Sequence, residues 1–153
     1  MTATNHVLTG AIVAVSIKEP ILAVPVALLS HYAMDALPHF GVSEDTEVRN
    51  RSTFFRVVVT IDTALCIASL ITVPIVCRHI VAAWLILACM LAAFAPDIPW
   101  IYRFFQERRT KLVNKKHFLN RVHSKLQWGE RRWGVLIEAI WLGWAITALS
   151  ILR

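Results

Sequence analysis

Residues 54–77 read FFRVVVTIDTALCIASLITVPIVC, a run broken by only one arginine, Arg56, and one acid, Asp62. A helix needs about 20 apolar residues to cross the hydrocarbon core of a bilayer. This run meets that length, and so do Ile80–Tyr102 and Trp133–Leu152 (spans 54–77, 80–102 and 133–152). The chain has 153 residues, of which 57% are hydrophobic and 17% charged. Soluble domains carry about 45–50% apolar and about 25% charged residues. The charged deficit, with a mean hydropathy of +0.58, excludes a disordered chain, a collagen-like chain and a disulfide mini-protein. The expected fold is all-α, an integral membrane helical bundle forming one domain over 1–153.

The N-terminal region is apolar in shorter pieces. Val7–Ile17 falls short of a full crossing, and Lys18-Glu19-Pro20 breaks it, since proline suits the start of a new helix. Ile21–Ala36 follows, with a bend expected at Pro25. Residues 4–36 therefore read as a short helical hairpin, accommodated by thinning of the bilayer or by packing against longer neighbours. The N-terminus, MTATNH, lacks the basic start of a signal peptide, so this first stretch is expected to remain in the protein. Residues 37–53 are polar and punctuated by Pro, Gly and Ser, and read as a loop. Arg78-His79 reads as a tight turn.

Residues 103–128 differ in kind. Phe105, Leu112, Leu119, Val122 and Leu126 recur at helical spacing, with Lys and Arg on the other faces. This pattern predicts a basic amphipathic helix lying in the membrane plane. The net charge is +6, and ten of the 16 basic residues fall between Arg103 and Arg132, opposed only by Glu107 and Glu130. Beside apolar spans, such a patch points to anionic lipid head groups and not to nucleic acid. Membrane lipids are the expected partners; a homo-oligomer stays open. Basic residues in short loops stay cytoplasmic. The N-terminus, the 37–53 loop and the 103–132 segment are accordingly placed inside, in a multi-pass protein of the cell inner membrane. Cys66, Cys77 and Cys89 lack CxxC spacing and read as small core residues.

Ionisable residues within apolar spans are costly and mark function. His6, His31, Asp35, Asp62, Asp97 and Glu138 all map to the inner leaflet, with His39 and His123 at the same level. Asp62 and Glu138 each lie six residues inside an arginine, about 9 Å deep at 1.5 Å per residue. The sharpest pattern is SHYAMDALPH, residues 30–39. His31 and Asp35 share a helical face at i,i+4 and can chelate one ion. Pro38 ends the helix, and His39 can fold back from the loop. Imidazole and carboxylate ligands without thiolate suit Zn²⁺, or else Mn²⁺ or Fe²⁺. The candidate ligands are His6, His31, Asp35, His39, Asp97 and His123. Glu138 and Asp62 are candidate proton acceptors, and Arg121 and Lys125 candidate substrate contacts. The plainer alternatives are a His31–Asp35 pair that only locks helices together, and an Asp62 bonded to a neighbouring helix. His117, among lysines, reads as solvated, and His79, in the opposite turn, as no part of the site.

His6 followed by Thr9-Gly10, and then the SHxxxDxxPH run, resembles the predicted membrane-bound metal-dependent hydrolases, small inner-membrane proteins of bacteria and archaea. Pro96-Asp97 is similar to that family's Pro-Asp-x-Asp element, and Arg121-x-His123-Ser124 to its later His-Ser element. Ile98 and Pro99 stand where the second acid of the first element belongs, and Val122 stands where threonine usually precedes the late histidine. The resemblance implies a metal-dependent hydrolase. A phosphoester in a lipid or lipid-linked molecule suits the basic segment best. The competing class is a non-enzymatic membrane protein that binds metal or lipid or assists transport.

Overall fold

The computed structural model describes residues 1–41, 52–99, 101–102, 130–131 and 133–152. Five α-helices appear among them: α1 (Ala3–Ile17), α2 (Pro20–Asp35), α3 (Thr53–Cys77), α4 (Ala83–Phe94) and α5 (Gly134–Leu152). A 3-10 turn, Ala95–Asp97, follows α4, and two-residue strands β1 (His39–Phe40) and β2 (Glu130–Arg131) pair in parallel. His39 stands opposite Glu130, and Phe40 opposite Arg131.

The hairpin is formed as expected. Lys18 closes α1 in the left-handed conformation at φ 61°, donating its N–H to Ala14 O, and Pro20 opens α2 at its first turn. The helices are therefore antiparallel, so the start of α1 and the end of α2 lie at one end of the bundle. α1 is the central helix and packs against α2, α3, α4 and α5 alike. Its residues Thr4 to Ala11 are all buried. Gly10 permits the closest of these approaches: a Cβ there would stand 2.8 Å from the Cys89 carbonyl carbon and 2.9 Å from Met90 Cα. Small residues at such crossings let helix backbones meet closely.

The outer helices turn large apolar side chains outward. Ile21, Leu22 and Leu29 of α2, Ile67, Ile71 and Ile75 of α3, and Ile140, Trp144 and Ile151 of α5 are all exposed. An apolar exterior of this extent exceeds what water-facing surfaces of monomeric proteins usually carry. Two helices are long and apolar enough to cross a membrane, α3 with 25 residues and α5 with 19, or about 37 and 28 Å at 1.5 Å per residue. The third expected span, 80–102, is not one continuous helix. The α-helix stops at Phe94 because Pro96 cannot donate to the ladder, leaving Ala83–Asp97 shorter than a crossing. The basic 103–128 segment and most of the 37–53 loop lie outside the described residues. Cys66, Cys77 and Cys89 are free and buried, as expected of core side chains.

Candidate metal centre

Three chain segments converge at the end of the bundle where α1 begins and α2 stops. α1 supplies His6, α2 supplies His31 and Asp35 one turn apart, and the 3-10 turn after α4 supplies Asp97. Asp35 bridges the two imidazoles: Oδ1 lies 3.2 Å from His6 Nε2, and Oδ2 lies 3.2 Å from His31 Nε2. Asp97 faces the same pair, with Oδ2 4.0 Å from His6 Nε2 and Oδ1 3.8 Å from His31 Nε2. The two rings stack with centroids 4.0 Å apart. Ligand atoms of His6, His31 and Asp97 all lie within 4.8 Å of one another, so these residues form a group able to hold a metal ion. The Met1 ammonium also pairs with Asp35 Oδ1.

Each member of the group is held by a local cause. α4 changes to 3-10 geometry at Pro96, and its last carbonyls leave the helical ladder. One of them, Ala93 O, lies 2.8 Å from His31 Nδ1. Donation from Nδ1 there leaves the Nε2 lone pair facing both carboxylates, the usual arrangement behind a metal-binding histidine. The same turn brings Asp97 round to the cluster. His6 is held by the burial of α1 itself, and among the described residues neither ring nitrogen makes a hydrogen bond of good geometry. Relative exposure is 0% for both histidines, 2% for Asp35 and 17% for Asp97. Asp97 is therefore the member reachable from outside.

The donor set fits a divalent cation. Two imidazoles and two carboxylates offer nitrogen and oxygen and no thiolate, and the two negative charges balance a 2+ ion. The Met1 ammonium offsets one of these charges, and a second carboxylate left without a cation in an apolar bundle would be expensive. A further sign is the pair of His6 nitrogens, which are buried and lack the hydrogen bonds that buried polar atoms nearly always make.

The other candidates stand apart from this four-residue network. His39 is buried in β1, and its Nδ1 lies 2.8 Å from Leu37 O. Burial lowers the pKa of its imidazole below the usual value. β1 is fixed by its pairing with β2 and by Gly134, where a Cβ would meet Phe40 N at 2.6 Å. Glu138 is buried one helical turn after Gly134, and its Oε1 accepts from Phe40 N–H at 3.0 Å. Its Oε2 makes no hydrogen bond of good geometry among the described residues. Asp62 holds the start of α1: Oδ2 accepts from Ala3 N–H at 2.9 Å and Oδ1 from Thr4 N–H at 3.0 Å. Both of its oxygens are thus engaged in a cap supplied from another helix, the task of the plainer alternative. His123, Arg121 and Lys125 lie outside the described residues.

No family model, curated protein or solved structure matches the chain. The centre is therefore read from its own atoms. Asn5 escaped the sequence reading: its Nδ2 donates to the Glu138 carbonyl at 3.1 Å and ties α1 to α5. Thr9 escaped it as well, accepting from Trp141 Nε1 at 3.1 Å. Their signal was present as polar side chains spaced four apart on an otherwise apolar helix.

Proposed function

We propose that this chain is a multi-pass inner-membrane protein and a metal-dependent hydrolase, acting at the cytoplasmic interface on a phosphoester of a lipid or lipid-linked substrate. One observation carries the reading: His6, His31, Asp35 and Asp97, scattered over 91 positions of sequence, meet as one buried cluster. Zinc is the favoured ion, since it takes imidazole and carboxylate ligands readily, with manganese and iron as alternatives. When bound, such an ion supplies Lewis-acid polarisation and an acidified water. The chain's own residues do the rest. Asp35 and Asp97 neutralise the ion, and the Ala93 carbonyl fixes the orientation of His31. The partly exposed Asp97 marks the side from which a substrate arrives.

Glu138 is the candidate proton acceptor. The Phe40 amide holds one carboxylate oxygen and leaves the other, buried Oε2, to take a proton. The cytoplasmic placement is supported by positive charge beside the starts of the two long helices: Arg56 in the first turn of α3 and, in sequence, the basic residues between Arg103 and Arg132 that precede α5. That charge also favours an anionic substrate.

Metal analysis of the detergent-purified protein is the first test, followed by hydrolysis of a fluorogenic phospholipid phosphoester. Wild type should carry stoichiometric metal and turn over. Asp35→Asn should insert normally but lose the ion, because asparagine keeps the shape and removes the balancing charge. Metal without turnover on any lipid phosphoester would leave a non-enzymatic metal-binding protein. A metal-free wild type, or full occupancy in Asp35→Asn, would overturn the centre itself.

A further inference from the structure

The two histidines of the centre are held unequally. His31 has a protein acceptor for its second ring nitrogen, since Nδ1 lies 2.8 Å from Ala93 O. His6 has none among the described residues, although it is fully buried. For His6 Nε2 to face an ion, the ring proton sits on Nδ1. A metal-binding imidazole almost always donates that second N–H to a carboxylate, a carbonyl or a water.

An acceptor stands next to it in sequence. Asn5 is buried, and its Nδ2 donates to the Glu138 carbonyl at 3.1 Å. That bond fixes which way the amide faces, because the reversed amide would set two acceptors against each other. Its Oδ1 is left buried, an acceptor with no donor among the described residues. Glu138 Oε2 is in the same position, while Oε1 is taken by the Phe40 amide. The Glu138 carboxylate lies beside Thr2 in the turn leading into α1, and the same turn accepts from His6, whose N–H donates to Thr2 O at 3.3 Å.

With both Nε2 atoms assigned to the ion, three buried side-chain atoms of the described residues still lack a bond. One is a donor, His6 Nδ1–H, and two are acceptors, Asn5 Oδ1 and Glu138 Oε2. All three belong to the first turn of α1 or to the residue tied to it. Adjacent residues on a helix do not face each other, and no direct bond joins His6 to Asn5. A water matches the set: its oxygen takes the N–H, and its two protons serve the two oxygens. Three bonds is the usual complement of a buried water.

We infer that Asn5 is a positioning residue of the metal centre. Its Oδ1 anchors a buried water that accepts from His6 Nδ1–H and donates its other proton to Glu138 Oε2. The water holds His6 Nε2 toward the ion and joins the centre to its proton acceptor. A plain tie between α1 and α5 accounts for Nδ2 alone; it leaves unexplained a second polar atom buried beside a metal ligand. The inference deepens the proposed reading and rests on its metal centre, not on its substrate.

Zinc affinity of the full-length protein in detergent, measured by competition with a chromogenic chelator, is the test. Asn5→Leu removes donor and acceptor at similar volume and should weaken Zn²⁺ binding about 10–100-fold. Asn5→Asp loses the bond to the Glu138 carbonyl but keeps an acceptor oxygen, and should bind Zn²⁺ as tightly as wild type whatever its melting temperature. Thr9→Val removes the other bond between α1 and α5, from Trp141 Nε1, and should leave the affinity unchanged. Equal losses in Asn5→Leu and Asn5→Asp, or in Asn5→Leu and Thr9→Val, would reduce Asn5 to a helix tie and overturn the inference, as would full affinity in Asn5→Leu. Should Asn5→Leu misfold, Asn5→Asp decides alone: retained affinity supports the inference and lost affinity overturns it. A wild type that binds no divalent ion would fell the metal centre and the inference together, whereas zinc binding indifferent to Asn5 would fell the inference and leave the centre standing.

Discussion

Gly10→Ala tests whether the metal centre depends on how closely α1 approaches α4. An alanine Cβ at position 10 would lie 2.8 Å from the Cys89 carbonyl carbon and 2.9 Å from Met90 Cα, where ordinary contacts begin at 3.4 Å. Backbone cannot swing aside as a flexible side chain can, and the Cys89 carbonyl oxygen is closer still, so the helices must separate locally by about 1 Å. Overpacking of this kind costs about 1–3 kcal/mol. The better helix propensity of alanine returns up to about 1 kcal/mol, leaving a net loss of about 1–2 kcal/mol. At about 2–4 °C per kcal/mol for a chain this size, the melting temperature should fall by about 2–8 °C. The effect on the metal should be larger. His6 sits one turn before Gly10 on α1, whereas Asp97 and the Ala93 carbonyl belong to the α4 side of the same interface. Metal sites tolerate ligand displacements of only about 0.2 Å, so a separation of about 1 Å should remove most of the bound ion. Metal analysis and a melting curve with and without chelator are the assays. Wild type should lose stability on chelation, by about 4 kcal/mol if free metal had stood 1,000-fold above its Kd, and Gly10→Ala should show little further loss. A variant that melts lower yet keeps full metal occupancy would refute the coupling between this helix contact and the centre.

The remaining predictions address the other buried groups. Asp62→Ala removes two charge-assisted bonds to Ala3 and Thr4 N–H, each worth about 1.5–3 kcal/mol, and should lower the melting temperature more than Gly10→Ala does; an unchanged melt would show that the cap contributes nothing. Glu138→Gln can still accept from the Phe40 amide, so fold and metal should persist while turnover is lost; loss of metal as complete as in Asp35→Asn would make Glu138 a ligand. Gly134→Ala presses on β1 near Phe40 N and should reduce turnover through displaced Glu138 and His39 with metal retained; unchanged kinetics would show β1 to be adjustable. For orientation, Arg131→Cys should react with an impermeant thiol reagent only from the cytoplasmic side and His79→Cys only from outside, against a low background because the three native cysteines are buried; the reverse pattern would invert the topology.

The parts of this molecule legible in the sequence are those fixed by local spacing. The apolar run at 54–77 announces a membrane-length helix, Lys18-Glu19-Pro20 announces the hairpin break, and the i,i+4 spacing of His31 and Asp35 places both on one face, all as the structure has them. What escaped is set by partners distant in sequence. α1 and α2 are similarly apolar and similarly long, yet one is enclosed and the other faces outward. The difference lies in which residues are apolar: α1 carries Asn5, Thr9 and Gly10, which need helix neighbours, whereas α2 carries Ile21, Leu22 and Leu29, which suit lipid. The run 80–102 looked continuous because hydropathy ignores the missing N–H of Pro96, which ends α4 and turns Asp97 inward.

The same division governs the centre. His6 and Asp97 were recognisable as polar residues at one depth, and depth sufficed because an antiparallel hairpin and an interrupted helix bring that level together. Depth did not suffice for Asp62 or His39. Asp62 shares the level, but the N–H groups of Ala3 and Thr4 draw it to the start of α1. His39 lies four residues beyond Asp35, and its direction is set by pairing with Glu130, 91 positions away. A buried carboxylate therefore declares in sequence only that something must compensate it. Whether a cation or a helix N-terminus does so is decided by which donors the fold brings near. At Asp35 and Asp97 the neighbours are two imidazoles, with the Met1 ammonium beside Asp35; at Asp62 they are backbone amides. That contrast separates a group able to hold a metal ion from a cap, and on the proposed reading Asp35→Asn and Asp62→Ala should differ in metal content even where both destabilise the bundle.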